Sequence, residues 1–197
     1  MEDDNPSAPI AKLQPLAMNG GHFNIKDNEK FLEALSLLKE SLFDDGASMF
    51  CSDNLITWNK NLSFLRDERF LQILADPKAG LVDQSIIWRT YILLYFANLS
   101  LDLDGDFVEC GTYEGHTASW IFQDCNLEDS GKQFWLYDLF EWTVGDQHTK
   151  LAELSNPELY KKVASRFSQY PNVNIIKGSV TASFSEGLPD EIAFCHI

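Results

Sequence analysis

An α/β fold, with a parallel sheet covered by helices on both faces and a helical segment ahead of it, is predicted by three observations. Short apolar runs at residues 107–110, 134–140, 173–177 and 191–197 alternate with helix-compatible stretches, and that alternation builds a parallel sheet through crossover helices. The chain before Asp102 instead carries longer apolar patterns of helical period. An acidic, glycine-containing stretch at residues 102–106 separates the two rhythms.

Taken in order, residues 1–26 hold Pro6, Pro9, Pro15, Gly20 and Gly21 without a sustained apolar period, which predicts a loose tail. From Asp27, the residues Phe31, Leu32, Ala34, Leu35, Leu37, Leu38 and Leu42 share one broad face of a helix that Gly46 ends. A second helix is expected at 66–75, stopped by Asp76 and Pro77. A third is expected at 82–101, with Ile86, Ile87, Tyr91, Leu93, Leu94, Phe96 and Ala97 for packing. These pieces make a helical segment, 27–104. Residues 105–197 form the sheet domain, with helices near 117–125 and 157–170; Pro157 suits a first helical turn, with Ser155 or Asn156 as cap.

The chain has 197 residues, 45% of them hydrophobic, enough for a sizeable core. Its 30 acidic against 15 basic residues give a net charge of -15. That balance argues against nucleic acid or an anionic membrane surface as a partner. Cys51, Cys110, Cys125 and Cys195 are widely spaced, so neither a zinc site nor a disulfide framework is indicated. The acidic start and the lack of a long apolar run predict neither signal peptide nor membrane span, and a cytoplasmic location is expected.

The chemistry concentrates in residues 106–117, Asp-Phe-Val-Glu-Cys-Gly-Thr-Tyr-Glu-Gly-His-Thr. A strand runs into Glu109 and then into two glycines, Gly111 and Gly115, just before a helix. Glycines allow a sharp turn and a close backbone approach, while the helix start offers free N–H groups to a ligand. A nucleotide-type cofactor follows. Glu109 would repel a pyrophosphate and suits an amino group or a ribose hydroxyl, which points to S-adenosylmethionine.

Ligands of doubly wound sheets lie beyond the carboxyl ends of the strands. The second run ends at Asp138, in position to accept from ribose hydroxyls, with Phe140 two residues on as a wall of the cofactor site. The third ends at Gly178-Ser179, where Ser179 could meet an adenine edge. Each also has a plain reading: Asp138 as a cap, Gly178-Ser179 as a connector, Phe140 as core.

The blocks Gly105 to Gly111, Leu136 to Glu141, Asn172 to Gly178 and Ile192 to Ile197, in this order and spacing, resemble the macrocin O-methyltransferase family over residues 88–197. The resemblance implies a Rossmann-like, class I methyltransferase using S-adenosylmethionine, often with magnesium, on hydroxyls of sugars and other natural products. It implies cofactor contacts at Glu109, Gly111, Thr112, Gly115 and Asp138, with Tyr113 beside the methionine part. Ser179 departs from the acid usual in the family, Trp142 replaces a glycine, and His116 stands where a small residue is common. The family continues past the block at His196-Ile197 into an Asp-x-Asp segment that supplies metal ligands. The sequence is therefore expected to be a truncated form, incomplete in the C-terminal half of its sheet, with any magnesium held by residues beyond Ile197 and with poor solubility or partner-dependent folding alone.

A small-molecule hydroxyl acceptor and a homo-oligomer are the partners this reading carries, and no metal site or catalytic base is assigned within the chain. His148 could approach an acceptor, His22 and His196 have weaker claims, and His116 would shape the cofactor loop. Two other functions share the pattern. A nucleotide-binding oxidoreductase would use the same glycine turn and Asp138, though a third glycine is lacking. A catalytically silent binding module is the other.

Overall fold

A computed structural model describes residues 18, 23–42, 48–141 and 158–197. The chain divides into two units, Met1–Ile92 and Leu93–Ile197.

In the first unit the helix expected from Asp27 is α1 (Asn28–Glu40), and the Asp27 side chain accepts the Lys30 N–H at 3.1 Å. The expected stop at Gly46 lies outside the described residues. After it comes an element that the helical expectation for 27–104 missed, an antiparallel hairpin of β1 (Met49–Ser52) and β2 (Leu55–Trp58). Its turn residues, Asp53 and Asn54, both have positive φ, 54° and 58°. Short polar side chains of this type tolerate the left-handed region, and such a turn matches the twist of paired strands. That dipeptide between two apolar runs was the available signal.

The hairpin also explains a second correction. The helix expected at 82–101 is broken into α3 (Leu81–Gln84) and α4 (Ile87–Leu99), followed by a single 3-10 turn, Ser100–Asp102. Asp53 supplies the break: its Oδ2 accepts the Arg89 N–H at 2.8 Å, capping the new helix, and its Oδ1 accepts Arg89 Nε at 2.6 Å. The helix expected at 66–75 is a 3-10 turn, Ser63–Arg66, and then α2 (Glu68–Leu74), capped by Asp67. Phe50, Phe64, Phe70, Trp88 and Tyr91 form the aromatic core of this unit, with Phe64 stacked on Tyr91 at 4.8 Å.

In the second unit the four predicted apolar runs become β3 (Asp106–Cys110), β4 (Phe134–Asp138), β5 (Val173–Lys177) and β6 (Ile192–His196). The helices between them are α5 (His116–Asp124), α6 (Leu159–Phe167) and the short α7 (Val180–Ser183). The proposed caps Ser155 and Asn156, and Pro157, lie outside the described residues. All four strands are parallel, in the order β5-β4-β3-β6. The chain thus steps outward from β3 to β5 and returns to the far side of β3. Right-handed crossovers then place α5 and α6 on one face and α7 on the other.

Residues alternate across the sheet. Phe107, Glu109, Phe134, Leu136, Phe194 and His196 share one face by register, and Val108, Tyr137 and Ile176 share the other. Phe107 sits 5.2 Å from Phe194 and 6.2 Å from Phe134, ring to ring. On the second face Phe184, just past α7, packs edge-on to Tyr137 at 5.3 Å. No described helix is long and apolar enough to cross a membrane.

Candidate functional site

The strand order reverses between β3 and β6, and in open α/β sheets the ligand crevice forms at such a reversal, beyond the carboxyl ends. The residues there can be read one at a time. β3 ends at Cys110, and the chain turns through Gly111, at φ 91°, a conformation that L side chains rarely adopt. A Cβ built on Gly111 meets nothing within 4 Å, so open space lies directly over this backbone. The turn closes when the Gly115 N–H donates to the Thr112 carbonyl at 2.8 Å. Gly115, at φ 73°, then caps α5. A Cβ on it would stand 3.2 Å from the Phe167 ring and 3.5 Å from Val163, so this glycine serves close packing of α5 on α6.

Asp138, at the end of β4, is buried and braces the loops on either side. Its Oδ2 accepts the Tyr113 N–H at 2.7 Å, and its Oδ1 accepts the Phe140 N–H at 2.6 Å. Both donor residues have positive φ, 50° at Tyr113 and 56° at Phe140, and the carboxylate compensates for that strain. Each of its oxygens keeps a second lone pair. The Tyr113 side chain is exposed, whereas Phe140 is fully buried with its ring edge-on to Tyr160 at 5.3 Å, as core.

Glu109 is only 1% exposed. Its register partner on β6 is His196, and Glu109 Oε1 lies 3.0 Å from His196 Nδ1. Glu109 Oε2 and the Thr112 hydroxyl are both buried without a hydrogen bond of normal geometry, although the hydroxyl is close enough to favour the carboxylate. Burial dominates and pushes the Glu109 carboxyl above the usual glutamate range, with Asp138 pushing the same way and His196 opposing. Asp138 and Glu109 therefore share one electrostatic neighbourhood.

Ser179 reaches the same rim through the backbone: the Gly178 N–H donates to the Asp138 carbonyl at 2.9 Å, and Ser179 heads α7 with its side chain exposed. His116, at the start of α5, pairs through Nε2 with Glu114 Oε2 at 3.2 Å. Lys162 meets the other Glu114 oxygen at 3.5 Å. Burial works against the Glu114 charge, yet the His116 and Lys162 contacts together hold its carboxyl below the usual range. His148, His22 and Trp142 lie outside the described residues. Among the described residues no group of three or more His, Cys, Asp or Glu is arranged to hold a metal ion.

The structure thus joins Tyr113, Asp138 and Phe140 directly, sets Thr112 beside Glu109, and brings Ser179 to the rim without tying its side chain to the others. The pairing of Glu109 with His196 was not legible. Their 87-residue separation hides a contact that only the adjacency of β3 and β6 creates.

No family model and no curated protein matches the chain. Among solved structures it is similar to the O-methyltransferase NovP, at 18% identity and a TM-score of 0.43, over 57% of this chain and 53% of that one. The chain thus spans about half the length of that structure.

Proposed function

We propose that this chain binds S-adenosylmethionine at the β3–β6 rim and belongs to an O-methyltransferase of the macrocin type, acting on a hydroxyl of a sugar or another small natural product. The observation that carries the reading is the coincidence at one strand-order reversal of a glycine turn before a helix with two buried carboxylates, Glu109 and Asp138. The cradle fits the cofactor. Open space over Gly111 admits a ligand against backbone, and the spare lone pairs of Asp138 can accept ribose hydroxyls without releasing Tyr113 or Phe140. A pyrophosphate would bring negative charge next to Glu109 and Asp138, which disfavours a dinucleotide.

S-adenosylmethionine, when bound, supplies an electrophilic methyl group on a sulfonium. The residues of this chain would hold and orient it, the larger part of what a methyl transfer asks of a protein. Magnesium enters only through the family resemblance, and among the described residues no group is arranged to hold it. Titration calorimetry of the chain with S-adenosylmethionine, S-adenosylhomocysteine and NAD tests the reading. Binding of the first two is expected. Binding of NAD alone would shift the assignment to an oxidoreductase, and binding of none would leave a silent module.

A further inference from the structure

The passage from β3 into α5 is short of hydrogen bonds. Among the described residues, four buried side-chain atoms without a partner fall between Glu109 and Trp120: Glu109 Oε2, the Thr112 hydroxyl, His116 Nδ1 and Trp120 Nε1. Buried polar atoms are nearly always paired, so such a group marks a place where something else supplies the partners. Glu109 and Thr112 belong to the cofactor cradle described above. His116 and Trp120 have no part in it.

These two stand four residues apart on one face of α5, with ring centres separated by 6.5 Å. His116 is 6% exposed and Trp120 is 1% exposed. The imidazole is held from its other side. Its Nε2 lies 3.2 Å from Glu114 Oε2, and Lys162, from α6, meets the second Glu114 oxygen at 3.5 Å. Burial works against the Glu114 charge, but the His116 and Lys162 contacts keep that carboxyl below the usual range. A carboxylate only accepts, so Nε2 carries the ring proton and Nδ1 is left as an acceptor. The indole Nε1 of Trp120 only donates. One unpaired acceptor beside one unpaired donor is the complement of a hydroxyl group, which accepts and donates through a single atom. The glycine turn that leads into these residues opens onto free space over Gly111.

We infer that His116 Nδ1 and Trp120 Nε1 form a hydroxyl-binding subsite in the first two turns of α5 for an alcohol or sugar ligand. The inference rests on the proposed function, in which that hydroxyl is the one that receives the methyl group. Trp120 donates to the hydroxyl oxygen, and the hydroxyl donates to His116. A methyl ether keeps the first bond and loses the second, because it has no proton to give. The subsite therefore favours the acceptor over its methylated product.

Three probes test this on the full chain: cyclohexanol, cyclohexyl methyl ether, and fluorocyclohexane, which is close to the alcohol in size but has no proton to donate. In 15N-labelled protein the Trp120 indole N–H signal, assigned among five tryptophans by its loss in Trp120→Phe, should shift saturably with cyclohexanol. Affinity for the alcohol should exceed that for the other two by about tenfold, the worth of one hydrogen bond. His116→Phe should erase this preference. Trp120→Phe should weaken alcohol and ether alike and keep the preference, read by saturation transfer from protein to probe. A purely structural pair would not separate the two variants in this way. An unmoved Trp120 signal overturns the inference and leaves an internal water as the partner of both nitrogens. Equal affinity for the three probes overturns it as well, as does a preference that survives in His116→Phe. If one variant fails to fold, the wild-type comparison and the other variant still decide. The calorimetry with S-adenosylmethionine is independent of these readings. Cofactor binding without an alcohol preference would sink the subsite alone, and an alcohol preference without cofactor binding would uphold the subsite and sink the cofactor reading.

Discussion

Asp138 shows how one side chain can serve a fold and a ligand together. Its two oxygens hold the backbone of the glycine turn and of the loop after β4. Asp138→Ala would strand two backbone N–H groups at about 1–3 kcal/mol each, so urea unfolding should show a loss of about 3 kcal/mol beside any loss of cofactor binding. The residue read from the sequence as a ribose contact therefore also holds backbone, and its removal touches the fold. Gly111 contrasts with it. Space over its Cα is open, so Gly111→Ala should cost only the strain of a positive φ, about 1–3 kcal/mol, while placing a methyl group where the ligand would lie. A variant that unfolds near the wild-type midpoint and binds S-adenosylmethionine with unchanged affinity would separate the cradle from the cofactor.

Glu109 carries a pH dependence whose sign follows from its burial. Its folded carboxyl is raised above the ordinary value, so the folded chain keeps a proton that the unfolded chain has already released. The resulting stability is complete below the ordinary glutamate value and is lost as pH climbs through the raised one. Glu109→Gln keeps shape and removes that loss. Its stability relative to wild type should therefore rise across that span in denaturant melts, and a flat difference would contradict the assignment.

At the scale of elements, the contact between α5 and α6 sets the glycine turn in place. Phe167 on α6 is buried, packs at 6.3 Å from the Phe122 ring, and lies against Gly115. Phe167→Ala should destabilise the chain by about 3–5 kcal/mol in thermal or urea melts. Gly115→Ala adds a methyl group 3.2 Å from the same ring in a left-handed position, and should be costly for crowding and strain together. In the first unit, Asp53 joins the hairpin turn to the start of α4. The strands of the sheet were readable because each centres on a short, mainly apolar run that alternates with helix-compatible segments. The hairpin was not, because four-residue strands are too short for period alone to distinguish them from a helical stretch. The split of the third helix was hidden for a related reason: its cap, Asp53, comes from 36 residues upstream.

Across the whole molecule, a net charge of -15 on 197 residues means self-repulsion in the folded state. Raising salt from about 0.01 M to about 0.15 M shortens the screening length from roughly 30 Å to roughly 8 Å, and the melting temperature should rise with it. A melting temperature that falls or stays constant would show that local ion pairs outweigh the global field. By itself, the amino-acid sequence determined the α/β class, the four strands, the position of the glycine turn and the ends of the strands as the place to look, because period, turn residues and charge are local properties. Tertiary structure alone decided that β6 returns beside β3, that His196 thereby meets Glu109, and that Asp138 has its oxygens engaged by backbone. Those facts depend on strand order and on which buried polar atoms find partners, and neither is encoded in any short window of the chain.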